Sequence, residues 1–268
     1  MTLFTLFLLA IIQGITEFLP ISSSAHLALL HQVNGTGEED VALDVAVHLG
    51  SILAVIVYFH ADSSAAGRGV ADLLRGRTHS PEAALTRNLI LATLPLILFG
   101  MVIVAMGWED ALRDIGVIGW TMIVFGILLW WIDRVAPQSV RAPDWTLRRA
   151  MLMGLWQALA LIPGVSRSGI TITGARAIGL ERRDATRLSM LLSIPATLAT
   201  GAVLAIDLAQ ADAGLDLLWR AAFAGLFAFG AAWAALCLMM RFLDRVSFTP
   251  YVVYRIAVGA LLLVIAYG

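Results

Sequence analysis

The sequence predicts an all-α polytopic membrane protein built as an inverted repeat, each repeat a re-entrant helical hairpin plus three transmembrane helices. Three observations predict it. First, 60% of the 268 residues are hydrophobic and 14% charged, with a mean hydropathy of +0.86. That balance is too apolar for a water-soluble fold and suits one membrane domain, residues 1–268. Second, a polar motif interrupts the apolar pattern twice, 144 residues apart, with Gln157 answering Gln13 and Ser166 answering Ser22. Third, the 18 basic residues, all Arg, fall overwhelmingly on alternate loops.

In chain order, residues 3–18 and 22–31 are each too short to cross a bilayer and are separated by Pro20, so they read as a hairpin that enters and leaves by one face. A polar, acidic loop follows at 32–43. Spans are expected at about 43–59, 86–106 and 115–132, each near the roughly 20 residues a bilayer needs. Residues 148–162 and 168–180 form the second broken pair, and spans follow at about 186–206, 217–240 and 249–267. Repeat one thus covers about 1–140 and repeat two about 145–268. Pro95 and Pro195 fall inside spans, where neighbouring helices can satisfy the freed backbone groups.

A hairpin plus three spans is an odd number of crossings, so the second repeat enters inverted. The loops 60–85, 133–147, 181–185 and 241–248 then share one face, which with the adjoining helix ends collects thirteen Arg, from Arg68 to Arg245. The opposite face receives only Arg113 and Arg220, with Glu38, Glu39, Asp40, Asp212 and other acids. The basic face is expected to be cytoplasmic and the N-terminus outside. No Lys or Arg precedes Arg68, so the first apolar stretch lacks the basic start of a secretory signal and is expected to be retained. The lone Cys237 excludes an internal disulfide and a cysteine metal site, and a net charge of -1 gives no reason to expect a nucleic-acid partner.

The chemistry is concentrated in the two interruptions. In Gln13-Gly-Ile-Thr-Glu17-Phe-Leu-Pro20-Ile-Ser22-Ser23-Ser24-Ala-His26, Gln13 and Glu17 share one helix face. Pro20 stops that helix, and the serine hydroxyls suit the open N-terminus of the next. In the second copy, Leu161 stands at the position of Glu17, Arg167 at that of Ser23, and Ile170 at that of His26. An ionisable group at membrane depth marks function. Two half-helices that meet tip to tip aim positive N-termini at a shared point, a site for an anion and for phosphate above all. Arg167 adds a guanidinium fork, Gly164 and Gly169 allow close backbone approach, and Ser166, Ser168 and Thr171 line the same turn.

The expected catalytic set is Glu17, Ser23, His26 and Arg167. Ser22, Ser166, Arg167, Ser168, Thr171 and Arg255 are expected at the phosphate, with Gln13, Gly164 and Gly169 in support. Ser23 is read as a nucleophile activated by His26, with Glu17 holding the imidazole. The competing reading has His26 or Glu17 activating water. A minority reading has Glu17 only pairing with Arg167 or Arg255 to join the repeats. Arg255 is read as a ligand or a structural partner, and His48, four residues after Asp44, is a weaker supporting candidate.

These motifs, with Leu43-Asp-Val-Ala-Val-His-Leu-Gly-Ser, Ala92-Thr-Leu-Pro95 and Tyr254-Arg255, resemble those of the undecaprenyl-diphosphate phosphatase family, also called the bacitracin-resistance protein family. The resemblance runs along the whole chain. It implies a multi-pass enzyme of the bacterial inner membrane that hydrolyses undecaprenyl diphosphate to the monophosphate and recycles the lipid carrier of cell-wall synthesis. The family's catalytic positions map onto Glu17, Ser23, His26, Ser166, Arg167, Thr171 and Arg255. The leading position of the first motif is Gln13, which removes one carboxylate from any metal site and leaves Glu17 as the ligand if a divalent cation, Mg or Ca, takes part. The partners expected are a polyprenyl diphosphate lipid and the bilayer, with a homodimer left open. The alternative class is a secondary transporter or flippase of a polyprenyl phosphate lipid, since broken helices in inverted repeats also build transporters.

Overall fold

The computed structural model describes residues 2–34, 41–209, 215–243 and 245–268, and among them every regular element is helical. The first helix, α1 (Leu3–Phe18), starts where the Thr2 hydroxyl accepts from the Thr5 N–H at 3.2 Å and ends at Leu19-Pro20. Past that break, α2 (Ser23–Asn34) completes the hairpin. The chain continues through α3 (Val41–Tyr58) and turns by 99° into α4 (His60–Leu74). Ser80 caps α5 (Pro81–Met106), with Pro81 in the first turn where its missing N–H costs nothing. The short α6 (Glu109–Leu112) leads to α7 (Ile115–Val135), capped by Asp114. The second hairpin is α8 (Leu147–Ala158), prolonged by a 3-10 turn at Leu159–Leu161, and α9 (Arg167–Ala177). The last three helices are α10 (Arg182–Ala209), α11 (Leu215–Phe242) and α12 (Thr249–Tyr267).

Among the described residues four helices, α5, α7, α11 and α12, are long and apolar enough to cross a membrane, and the α3–α4 pair, bent by 99°, makes a fifth if it is counted as one span. The sixth expected span, 186–206, lies within α10, which carries the buried stripe Thr186, Ser189, Ser193 and Thr197 and is correspondingly less apolar. The outer surface is apolar, unlike that of a soluble protein, over an interior that mixes apolar clusters with buried polar groups. Large apolar side chains such as Leu98, Val102, Trp120 and Leu226 face outward, whereas Gln13, Gln157, Arg176 and Arg255 are fully buried. Lipid offers no hydrogen bonds, so polar groups are drawn inside the protein, where Arg176 and Arg255 find partners.

The expected loop 60–85 is instead largely the helix α4. It docks on α5 through Gly69, where an added Cβ would lie 2.1 Å from the Glu82 carbonyl, and the Thr86 hydroxyl donates to the Ala66 carbonyl at 2.7 Å. Elsewhere α1 and α3 pack on α11, α8 and α10 pack on α5, α3 meets α10, and α7 meets α12. Small residues permit these crossings. A Cβ at Gly14 would stand 2.5 Å from the Ala228 carbonyl, one at Gly154 2.3 Å from the Ala92 carbonyl, and one at Gly50 2.1 Å from the Gly225 carbonyl. At the end of α9, the buried Arg176 donates to Asp133 at 3.1 Å and to the carbonyls of Asp133, Ala136, Pro137 and Leu180, fastening the connection after α7.

Candidate active site

Two chain breaks, 19–22 and 162–166, meet in the interior. Ser22 and Ser166 have positive φ, 72° and 70°, a strained state for residues bearing a Cβ. Each turns its hydroxyl toward the serine two places on, Ser22 to Ser24 at 3.0 Å and Ser166 to Ser168 at 3.2 Å. The breaks are also crossed. The Gly164 N–H donates to Ser24 Oγ at 3.1 Å, and Ser168 Oγ donates to the Leu19 carbonyl at 3.0 Å. Arg255 closes the junction from α12. Its Nε donates to the Met122 carbonyl at 3.1 Å, its Nη2 to the carbonyls of Gly164 and Val165 at 3.0 Å each, and its Nη1 points to the Pro20 carbonyl at 3.5 Å. The carbonyls freed by both breaks thereby gain donors.

Beside this junction lies a charged cluster. Glu17, in the last turn of α1, accepts from Arg167 Nη2 at 2.5 Å through Oε1, and from Gln13 Nε2 at 2.8 Å and Ser23 Oγ at 3.0 Å through Oε2. Arg167, the first residue of α9, also donates through Nη1 to Thr197 Oγ1 at 2.7 Å and to the Ser193 carbonyl at 3.2 Å. The side chains of Arg167 and Glu17 are 18% and 10% exposed, so the pair is mostly withdrawn from solvent and each ion depends on the other. Behind Glu17, Gln13 Nε2 lies 3.1 Å from His48 Nε2, and His48 Nδ1 lies 2.8 Å from the Asp44 carbonyl and 3.3 Å from Asp44 Oδ1.

His26 stands apart. Its Nδ1–H donates to the Ser22 carbonyl at 2.7 Å, and its Nε2 meets the Tyr254 hydroxyl at 2.7 Å, with the two rings stacked at 5.5 Å between centroids.

The model of the bacitracin resistance protein BacA family matches residues 6–261, spanning both breaks and α12. The chain belongs to the BacA family. It is 55% identical over 268 residues to an undecaprenyl-diphosphatase of Dinoroseobacter shibae and 53% identical over 271 residues to one of Ruegeria pomeroyi, covering 100% of both chains in each case. The undecaprenyl-diphosphatase of Chromohalobacter salexigens is 44% identical over 257 residues, 96% of each chain.

Within this BacA-family junction, Glu17, Ser23, Arg167 and Gln13 come together as the sequence leads one to expect. The expected arrangement of His26 is different. Among the described residues no hydrogen bond joins it to Ser23 or Glu17, because its Nδ1 bonds back one turn along α2 and its Nε2 is taken by Tyr254. Glu17 reaches the Ser23 hydroxyl directly instead. Three residues expected at the phosphate have other partners here. Thr171 bonds the carbonyls of its own helix and Ser189, Ser168 bonds Leu19, and Arg255 bonds four carbonyls. Gly164 and Gly169 make room for protein groups, since added Cβ atoms would stand 2.1 Å from Thr121 Oγ1 and 2.8 Å from Arg255 Nη1. Sequence reading assigned no role to Thr197, Ser193 or Tyr254; the signals present were Ser193, which repeats Ser51 at an offset of 142, and Tyr254, which stands beside Arg255 in a motif that carries the resemblance.

The donor set does not fit a cation held by protein. Among the described residues no three His, Cys, Asp or Glu side chains converge, and the two Glu17 oxygens already accept from Arg167, Gln13 and Ser23.

Proposed function

We propose that this chain hydrolyses undecaprenyl diphosphate to undecaprenyl phosphate and inorganic phosphate, the activity for which its full-length relatives are named. The observation that carries the reading is the Glu17–Arg167–Ser23 cluster beside two crossed helix breaks, a cation, a base and a hydroxyl at the tips of α2 and α9. The terminal phosphate lies against Arg167 and the two half-helix N-termini, which stabilise the charge that spreads over its oxygens during transfer. Ser23 Oγ attacks the terminal phosphorus and gives its proton to Glu17 Oε2, 3.0 Å away. The bond from phosphorus to the bridging oxygen breaks, and undecaprenyl phosphate leaves with that electron pair. The leaving undecaprenyl phosphate takes the proton from Glu17, which is a carboxylate again. Water then gives a proton to that carboxylate as its oxygen attacks the serine phosphate, and Glu17 passes this proton to the departing Ser23 oxygen. His26 polarises the turn through Ser22 rather than touching the nucleophile.

The membrane arrangement belongs to the same proposal. The chain lies in the bacterial cytoplasmic membrane as an inverted repeat with its N-terminus outside. The exchanged packing of α1 on α11 and α8 on α5, the matched backbone of Ser22 and Ser166, and the Arg asymmetry support it. A flippase would use Glu17 as a proton-coupling carboxylate, but the names of the relatives favour hydrolysis.

The test is rapid quench of the purified protein with substrate labelled in its terminal phosphate. Label covalently attached at Ser23, with Ser23→Ala turning over at less than about a tenth of the wild-type rate, is the expected result. Substantial turnover in Ser23→Ala moves attack to water activated by Glu17, and no phosphate release by the wild type removes the enzymatic reading.

A further inference from the structure

We propose that His48 is a positioning residue for this site, holding the Glu17 carboxylate through Gln13; the proposal rests on the phosphatase reading above. Gln13 is fully buried on α1 and its amide nitrogen serves two neighbours, Glu17 Oε2 at 2.8 Å and His48 Nε2 at 3.1 Å. An amide nitrogen only donates, so His48 Nε2 accepts and the imidazole proton sits on Nδ1, facing the Asp44 carbonyl at 2.8 Å. The reverse amide orientation would set its oxygen against the Glu17 carboxylate. Among the described residues that oxygen has no hydrogen-bond partner, so the polar hold on the amide runs through its nitrogen. His48 therefore accepts the second N–H of the planar amide, and with that bond made the first is held upon Glu17.

The second half of the chain supplies an internal comparison. At the repeat offsets, Leu161 replaces Glu17 and Met190 replaces His48, while the amide is kept as Gln157. Gln157 is fully buried, and among the described residues both of its amide atoms lack a partner. The amide is ordered by hydrogen bonds only in the half that has the carboxylate and the imidazole. His48 and Asp44 side chains, 32% and 29% exposed, form the outer end of a run that passes through Gln13 and Glu17 to Ser23 and Arg167.

The test compares His48→Gln, His48→Asn and His48→Leu in detergent with a polyprenyl diphosphate substrate. Gln carries an acceptor at the reach of Nε2, Asn only at the reach of Nδ1. The expected result is near-normal turnover in His48→Gln and a fall of about tenfold or more in kcat, at unchanged KM, in the other two. In a Gln13→Leu background the His48→Leu change should add nothing further, because its effect travels through the amide. Turnover in His48→Asn and His48→Leu within about twofold of wild type overturns the proposal. So does additivity with Gln13→Leu. If His48→Leu does not fold, the Gln and Asn variants decide, and equal losses in both overturn it. A wild type that releases no phosphate removes the underlying reading instead, a result distinguishable from any pattern among the variants.

Discussion

Arg167 joins three helices with one guanidinium: Nη2 to Glu17 on α1, Nη1 to Thr197 and Ser193 on α10, and the backbone of α9 that carries it. A lysine ammonium is a point charge on a flexible stem and does not span two separated partners in one plane. Arg167→Lys should therefore lower turnover at least about tenfold, equivalent to about 1.4 kcal/mol in the barrier, measured as phosphate release. Gln157 offers the opposite kind of residue. A buried amide without partners among the described residues costs roughly 1–3 kcal/mol, and at about 2–4 °C per kcal/mol Gln157→Leu should raise Tm by at least about 2 °C and leave turnover intact. A fall in Tm would mean that Gln157 is satisfied in the membrane. The Glu17–Gln13 pair was legible because four residues on a helix bring side chains together. Its meeting with Arg167 followed from the logic of crossed hairpins. The bond of Thr197 to Arg167 and that of Tyr254 to His26 were not legible, since nothing local to either residue records which helix will cross it.

At the scale of helices, spans and breaks could be read because apolar runs end at Pro, Gly and Ser in this chain. The exception is α4, whose composition, with Ser63, Ser64, Gly67 and Gly69, reads as loop. Docking on α5 overrides that preference, with Gly69 providing the contact surface. The same dependence on crossings yields a paired prediction. At Gly50 an added methyl would meet the backbone of α11, whereas at Gly201 it would meet nothing within 4 Å. Gly201→Ala should stabilise by up to about 1 kcal/mol through helix propensity. Gly50→Ala should lower Tm and loosen the α3–α11 pair, as read by thermal unfolding in detergent. Equal effects of the two substitutions would remove the crossing as the reason for glycine at position 50.

For the whole molecule, the outward apolar and inward polar distribution was foreseeable from hydropathy, and the placement of charge along the chain yields a map of sides. The acidic stretch at 38–40 and Asp212 in that map lie outside the described residues. Exposed Ala111 and His79 are described and test it. In a Cys237→Ala background, a cysteine at position 111 should react with an impermeant reagent added to intact cells and one at position 79 should not. The reverse pattern would invert the proposed orientation. The clasp of Arg255 has a consequence in time. Residues 249–267 leave the ribosome after both interrupted hairpins, so the carbonyls of Gly164, Val165, Pro20 and Met122 wait for this donor until the rest has been inserted. Catalytic competence is then a late event of biogenesis: a chain cut after residue 248 should enter the membrane yet release no phosphate, and a nascent chain does not attack the carrier lipid of the bilayer that is still receiving it.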